Sequence, residues 1–97
     1  MGCCQNSAGS YYNYDTVPGD TVEQCAVACK ETYSSDEYFV GINFHPNWFG
    51  SANCNCMKDK SWFGEATKNG KITGAGGGCQ ELCYSYNEVS FSWFNSV

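Results

Sequence analysis

Eight cysteines in 97 residues constrain this chain more than any other feature. They are Cys3, Cys4, Cys25, Cys29, Cys54, Cys56, Cys79 and Cys83. An even count in a short chain reads as a disulfide framework and an oxidising compartment. Around the second pair the residues have helical marks. Thr21-Val22-Glu23-Gln24 forms a capping box, and Val22, Cys25, Ala26, Cys29 and Tyr33 recur at helical spacing. A helix is therefore predicted from about Val22 to about Tyr33. Cysteines four apart on a helix share one face, and Cys54 and Cys56, two apart on a predicted strand, share another. One helical turn rises about 5.4 Å and two strand residues span about 6.6 Å. That match permits two parallel staples from helix to sheet, each worth ~3 kcal/mol through the unfolded state. Spacing does not choose between Cys25–Cys54 with Cys29–Cys56 and the crossed pairing. Cys3, Cys4, Cys79 and Cys83 would then join the N-terminal segment to the C-terminal region. Adjacent Cys3 and Cys4 point to opposite sides of an extended chain, which leaves an intermolecular bond open to one of them.

Composition narrows the class. The chain is 42% hydrophobic, 16% aromatic and 15% charged, with a net charge of -5. Such an aromatic, weakly charged chain is not a disordered one. No apolar run approaches the ~18 residues of a membrane span. Five lysines and no arginine face ten carboxylates, so no basic face exists for nucleic acid. After Met1 comes Gly-Cys-Cys-Gln-Asn, with no apolar leader segment. The chain thus reads as a mature form, an excised module, or one to which Met1 was added. A lipidation start at Met-Gly-Cys-Cys wants Ser or Thr at the sixth position, where Asn6 stands, and leaves six cysteines unexplained. No Asn-x-Ser/Thr sequon occurs.

Residues 1–97 read as one α+β module, with one main helix and four to six strands in a small antiparallel sheet. Tyr11, Tyr12 and Tyr14 form a β-prone run, and Val17-Pro18-Gly19-Asp20 a turn. Tyr38, Val40, Ile42 and Phe44 are expected on one face of a strand, with Gly41 permitting close packing on the other. Asn53 to Met57 is a second strand, which Trp62-Phe63 could continue. Asn69-Gly70 predicts a hairpin between Ala66-Thr67 and Ile72-Thr73. Gly74 to Gly78 reads as a flexible or tightly bent loop, Cys79 to Cys83 as one helical turn, and Val89 to Phe94 as a terminal strand.

Thr21 to Cys29, Phe39-Val40-Gly41-Ile42-Asn43-Phe44 and Cys54-Asn55-Cys56 together resemble the PAN/apple family. The WSC family is similar, with a later Cys-x3-Cys like Cys79 and Cys83. The likeness covers residues 20 to 57. It implies a small antiparallel sheet crossed by one helix, with strand cysteines stapled back to that helix. It also implies a non-catalytic module for protein or carbohydrate contact, and carries no ligand residue onto this chain. Ser34-Ser35-Asp36-Glu37 stands where many PAN domains have a further cysteine. Met57 follows Cys-x-Cys where WSC domains have glycine.

Other chemistries find little support. Zinc knuckles prefer Cys-x2-Cys, whereas here the spacings are Cys-x3-Cys and Cys-x-Cys with a single histidine. Redox catalysis wants Cys-x-x-Cys. His45 precedes Pro46 with no Gly-x-Ser-x-Gly elbow, and the acids are scattered. No catalytic residue, metal or cofactor is expected. The aromatic excess is more informative: sixteen Phe, Trp and Tyr exceed what one small core can hide. Tyr11, Tyr12, Trp48, Phe49, Trp62, Val89, Phe91 and Trp93 are the candidate binding and assembly residues, with Tyr14 and Phe63 beside them. The segment from Val89 to Val97 has no charge and no proline, so its edge is not blunted. These features together point to an extracellular structural protein, not an enzyme, that assembles with copies of itself into a fibre, sheath or matrix. The alternative is a monomeric secreted module that binds carbohydrate or protein.

Overall fold

The computed structural model describes residues 2–33, 35–46, 53–87 and 91–94, the last segment without the side chains of 92–94. In chain order the elements are β1 (Cys3–Gln5), β2 (Asn13–Val17), α1 (Val22–Tyr33), β3 (Phe39–His45), β4 (Asn53–Lys58), β5 (Gly74–Gly76), β6 (Leu82–Tyr86) and β7 (Phe91–Phe94). The fold is α+β. Five strands form an antiparallel sheet in the order β2-β4-β3-β6-β7, and β1 and β5 form a second, two-stranded ribbon. The seven strands among the described residues exceed the four to six expected.

The helix starts where the capping box put it. The Gln24 N–H donates to Thr21 Oγ1 at 3.1 Å, and the Gln24 side chain accepts from the Asp20 N–H at 2.9 Å, one residue before the cap. Its buried face meets one side of the sheet, where Cys25, Cys29, Phe39, Ile42, Phe44, Cys54 and Cys56 form a single cluster. All four disulfides lie within the chain, and no cysteine is free. Cys25 pairs with Cys54 and Cys29 with Cys56, their Cα atoms 5.3 and 5.5 Å apart, so the staples run parallel rather than crossed. Cys3 pairs with Cys79 and Cys4 with Cys83, which closes off the intermolecular bond considered for that end.

The opposite side of the sheet carries a second cluster: Cys4, Tyr12, Met57, Ile72, Ala75 and Cys83. Strand alternation explains the division. On β4, Cys54 and Cys56 face the helix while Met57 faces away. The ribbon β1–β5 reaches this far side through Asn43, a buried side chain only 2% exposed. Asn43 Oδ1 accepts from the Cys4 N–H at 2.9 Å, and its amide donates to the Gly2 and Leu82 carbonyls at 3.2 and 3.3 Å.

Four expectations need correction. Tyr38, Val40, Ile42 and Phe44 do not share a face. A bulge shifts the register between Phe39 and Gly41, so Phe39 joins Ile42 and Phe44 on the helix side while Val40 packs against the far cluster. The glycine-rich run is a loop only in its second part, where Gly77 and Gly78, both at positive φ, make the tight bend; Gly74–Gly76 pairs with Cys3–Gln5 as β5. Glycines suit it because a Cβ on Gly76 would lie 3.0 Å from Gln5 Oε1, and one on Gly2 would strike Gly76 backbone. Cys79 to Cys83 is not a helical turn, since β6 begins at Leu82. Asn69-Gly70 makes no hairpin, because no strand flanks it; its amides turn instead onto the Asp59 carboxylate. Gly41 does permit close packing: a Cβ there would run into the Tyr84 carbonyl and Ile72.

Replacing Asn43 with Ala leaves the Cys4 N–H and two carbonyls without their partner in a dry site, at a cost of about 3 kcal/mol. Denaturant unfolding of N43A should show that loss, and hydrogen exchange should show it first at Cys4.

Candidate functional site

The helix covers one side of the five-stranded sheet. The ribbon β1–β5 covers only part of the other, and beside it a groove of about 290 Å³ remains open. Asn55 and Met57 of β4 and Tyr14 of β2 line it. Cys3, Tyr11 and Glu81 line it too. Register builds the floor, since Tyr14 lies opposite Met57, and Thr16 opposite Asn55. The polar groups are chained: Thr16 Oγ1 donates to Asn55 Oδ1 at 2.8 Å, and Asn55 Nδ2 to Glu81 Oε1 at 3.4 Å. Two tyrosines reach solvent here, Tyr11 at 53% and Tyr14 at 45% exposed. Among the described residues no Lys or His lines the groove.

A second feature projects from the sheet beyond β4. Lys60 bridges Ala66, and between them the chain turns on Ser61. The Ser61 N–H donates to the Glu65 carbonyl at 2.7 Å and the Gly64 N–H to the Ser61 carbonyl at 3.0 Å. The Ser61 hydroxyl accepts from the Phe63 and Glu65 N–H groups, both at 3.2 Å. Gly64 takes φ +85, a left-handed conformation that a side chain would strain. This hydrogen-bonded turn holds Trp62 and Phe63 at its tip, 77% and 93% exposed.

The loop that follows is fixed by Asp59, only 9% exposed. Its carboxylate accepts from the Thr67 hydroxyl, from the Asn69 N–H at 2.9 Å and from the Gly70 N–H at 2.8 Å. Tyr12 donates its hydroxyl to the Gly70 carbonyl at 2.7 Å. Burial, and then the Asp59 charge, push the Tyr12 phenol up to about 12. Asp15 sits between Lys58 Nζ at 2.6 Å and the Tyr33 hydroxyl at 2.7 Å. These two donors, Lys58 foremost, hold its carboxyl below the ordinary 3.8, and the same contact pushes Tyr33 up to about 12. Burial pushes Asp36 up, but the Tyr38 N–H and the Lys60 ammonium outweigh it and leave that carboxyl low.

The candidate residues separate accordingly. Tyr11 lines the groove and Trp62 tips the turn, as surface residues. Tyr12 is 5% exposed and belongs to the far core cluster, so its ring is structural although it borders the groove. Phe91 is half-buried on the helix side, its ring centroid 5.0 Å from Tyr86 and 6.1 Å from Phe39. Its ring packs against the helix-side cluster. Trp48, Phe49 and Val89 lie outside the described residues, as does the side chain of Trp93, whose backbone pairs with Tyr84. Asn55, Met57 and Glu81 were not anticipated. Alternation from Cys54 and Cys56 could have placed Asn55 and Met57 on the far face; nothing local marks Glu81. Trp62-Phe63 does not extend β4, because Lys58 is its last residue. Two cysteine-containing clusters, Cys25 with Cys29 and Cys54, and Cys3 with Cys79 and Glu81, have metal-like spacing, but their sulfurs are consumed in disulfides. Among the described residues no helix is long and apolar enough to cross a membrane.

Comparison of the chain with protein-family models, with curated proteins and with solved structures gives no match.

Two outcomes are expected. Asp59→Ala should release residues 67–70, with hydrogen-exchange protection of the Asn69 and Gly70 amides lost and stability lowered by about 2–3 kcal/mol. For the Asp15 network, the depressed carboxyl contributes stability at neutral pH that is lost as pH falls through its folded pKa. The raised Tyr33 phenol contributes stability below its ordinary value of 10.0 that is lost as pH rises toward about 12. In thermal melts, Asp15→Asn should therefore be less stable than the parent at neutral pH, the two should converge as acid protonates the Asp15 carboxyl, and Tyr33→Phe should flatten the alkaline limb.

Proposed function

We propose that this chain is a non-enzymatic extracellular structural protein that joins copies of itself into a fibre, sheath or matrix, and that it is a PAN/apple-like module. The observation that carries the self-assembly is the turn bearing Trp62 and Phe63. Two adjacent large aromatics, 77% and 93% exposed, are uncommon in a monomer with a core available to receive them. Each would gain ~1.5–3 kcal/mol on burial against a partner. The turn is held by four backbone and hydroxyl hydrogen bonds, so little ordering entropy opposes docking.

Other features support the same conclusion. The sheet ends on β2 and β7, each paired on one side only among the described residues, and open edges favour strand addition. The helix cysteines stapled to the Cys-x-Cys strand support the PAN/apple-like assignment, and four disulfides support an oxidising, extracellular setting. A non-enzymatic role is supported by what the part-buried acids do. Asp15 and Asp36 hold lysines and Asp59 holds a loop. The single histidine, His45, ends β3 opposite Asn53.

Sedimentation velocity and negative-stain microscopy of the oxidised protein test this. Concentration-dependent assemblies are expected at micromolar concentrations, and W62S/F63S should stay monomeric with four intact disulfides. A parent protein that remains a discrete monomer overturns self-assembly and leaves a monomeric binding module.

A further inference from the structure

We infer that the tyrosine-lined groove is the receptor for the Trp62–Phe63 turn of a second copy. The inference rests on the self-assembly proposed above and names its contact surfaces. The turn does not fill its own groove, since both side chains stand in solvent. The groove offers what such a turn needs. Its floor and walls present the Tyr14 and Tyr11 rings, the Met57 thioether and the Cys3–Cys79 disulfide, all soft surfaces that pack well on an aromatic ring.

Tryptophan also carries one polar group. Its indole N–H is a donor only and requires an acceptor when buried. Glu81 supplies a carboxylate in the groove wall, where its Oε1 accepts a long bond of 3.4 Å from Asn55 Nδ2. No lysine or histidine among the lining residues competes for that acceptor. The volume, about 290 Å³, sits at the small end of ligand sites, suited to one or two side chains rather than a large ligand.

Geometry sets the consequence. Turn and groove are different patches of one surface, so the contact is heterologous. Each copy that donates a turn still has an empty groove, and growth continues unless the rotation closes a ring. Tyr14 also lies on edge strand β2, which places the receptor beside one of the two open sheet edges.

Two variants break the contact from opposite sides: W62S/F63S keeps the groove, and Y11S/Y14S keeps the turn. All four changed side chains are exposed. Each variant alone should fail to polymerise. Mixed, they should form a 1:1 heterodimer that grows no further, with association of either variant with itself weaker by about tenfold or more. Independently of whether Y11S/Y14S folds, adding unlabelled parent protein to methyl-labelled W62S/F63S should shift the Met57 methyl signal. If the parent assembles and Y11S/Y14S, folded with four disulfides, assembles equally well, the groove is not the receptor although self-assembly stands. A Met57 signal that ignores the parent protein but moves with cellotetraose gives the groove to sugar and also overturns the inference. A parent that never associates removes both proposals together.

Discussion

The two parallel disulfides between α1 and β4 are the constraint on which the rest depends. Cysteines one helical turn apart meet cysteines two strand residues apart, and the two repeats nearly coincide. Both bonds form without crossing, with Cα separations of 5.3 and 5.5 Å. Together they fix helix orientation, helix rotation and the face of β4 that is buried. Once Cys54 and Cys56 face the helix, Asn55 and Met57 must face the other way. The groove floor is thus a by-product of the staple.

The second disulfide pair does different work. Cys3–Cys79 and Cys4–Cys83 span 76 and 79 residues, so they restrict the unfolded chain more than the helix staples, whose spans are 29 and 27. In the loop-entropy picture that difference is roughly 1 kcal/mol per bond. They hold a glycine-rich ribbon on the far face of the sheet, where Asn43 supplies the polar bond that short strands cannot. Because the ribbon is only three residues long in each strand, it covers part of that face and leaves the groove.

Charges are few, and most of the part-buried ones tie neighbouring segments together. Lys58 and Lys60 engage Asp15 and Asp36, while Asp59 collects the backbone amides of Asn69 and Gly70. What remains toward solvent near the end of β4 is the aromatic turn. A rigid aromatic projection and a soft groove, lined among the described residues by no lysine or histidine, are the two halves of the contact proposed above.

Sequence alone determined the helix, its cap and its buried stripe, because those depend on residues three and four apart. It also determined that the cysteines would be paired and that some aromatics must be exposed. The tertiary structure decided what depends on distant partners. Parallel rather than crossed staples required the direction of α1 over β4. The bulge before Gly41 moved Val40 to the far face, although its alternation with Ile42 reads as regular. Asn69-Gly70 has strong hairpin chemistry, yet a carboxylate ten residues away offers its amides better bonds than a strand would. Gly74–Gly76 has no strand propensity and becomes a strand because two disulfides bring β1 alongside it. Tyr12 and Tyr14 look equivalent in the chain, and only the ribbon's position makes one core and leaves the other in the groove.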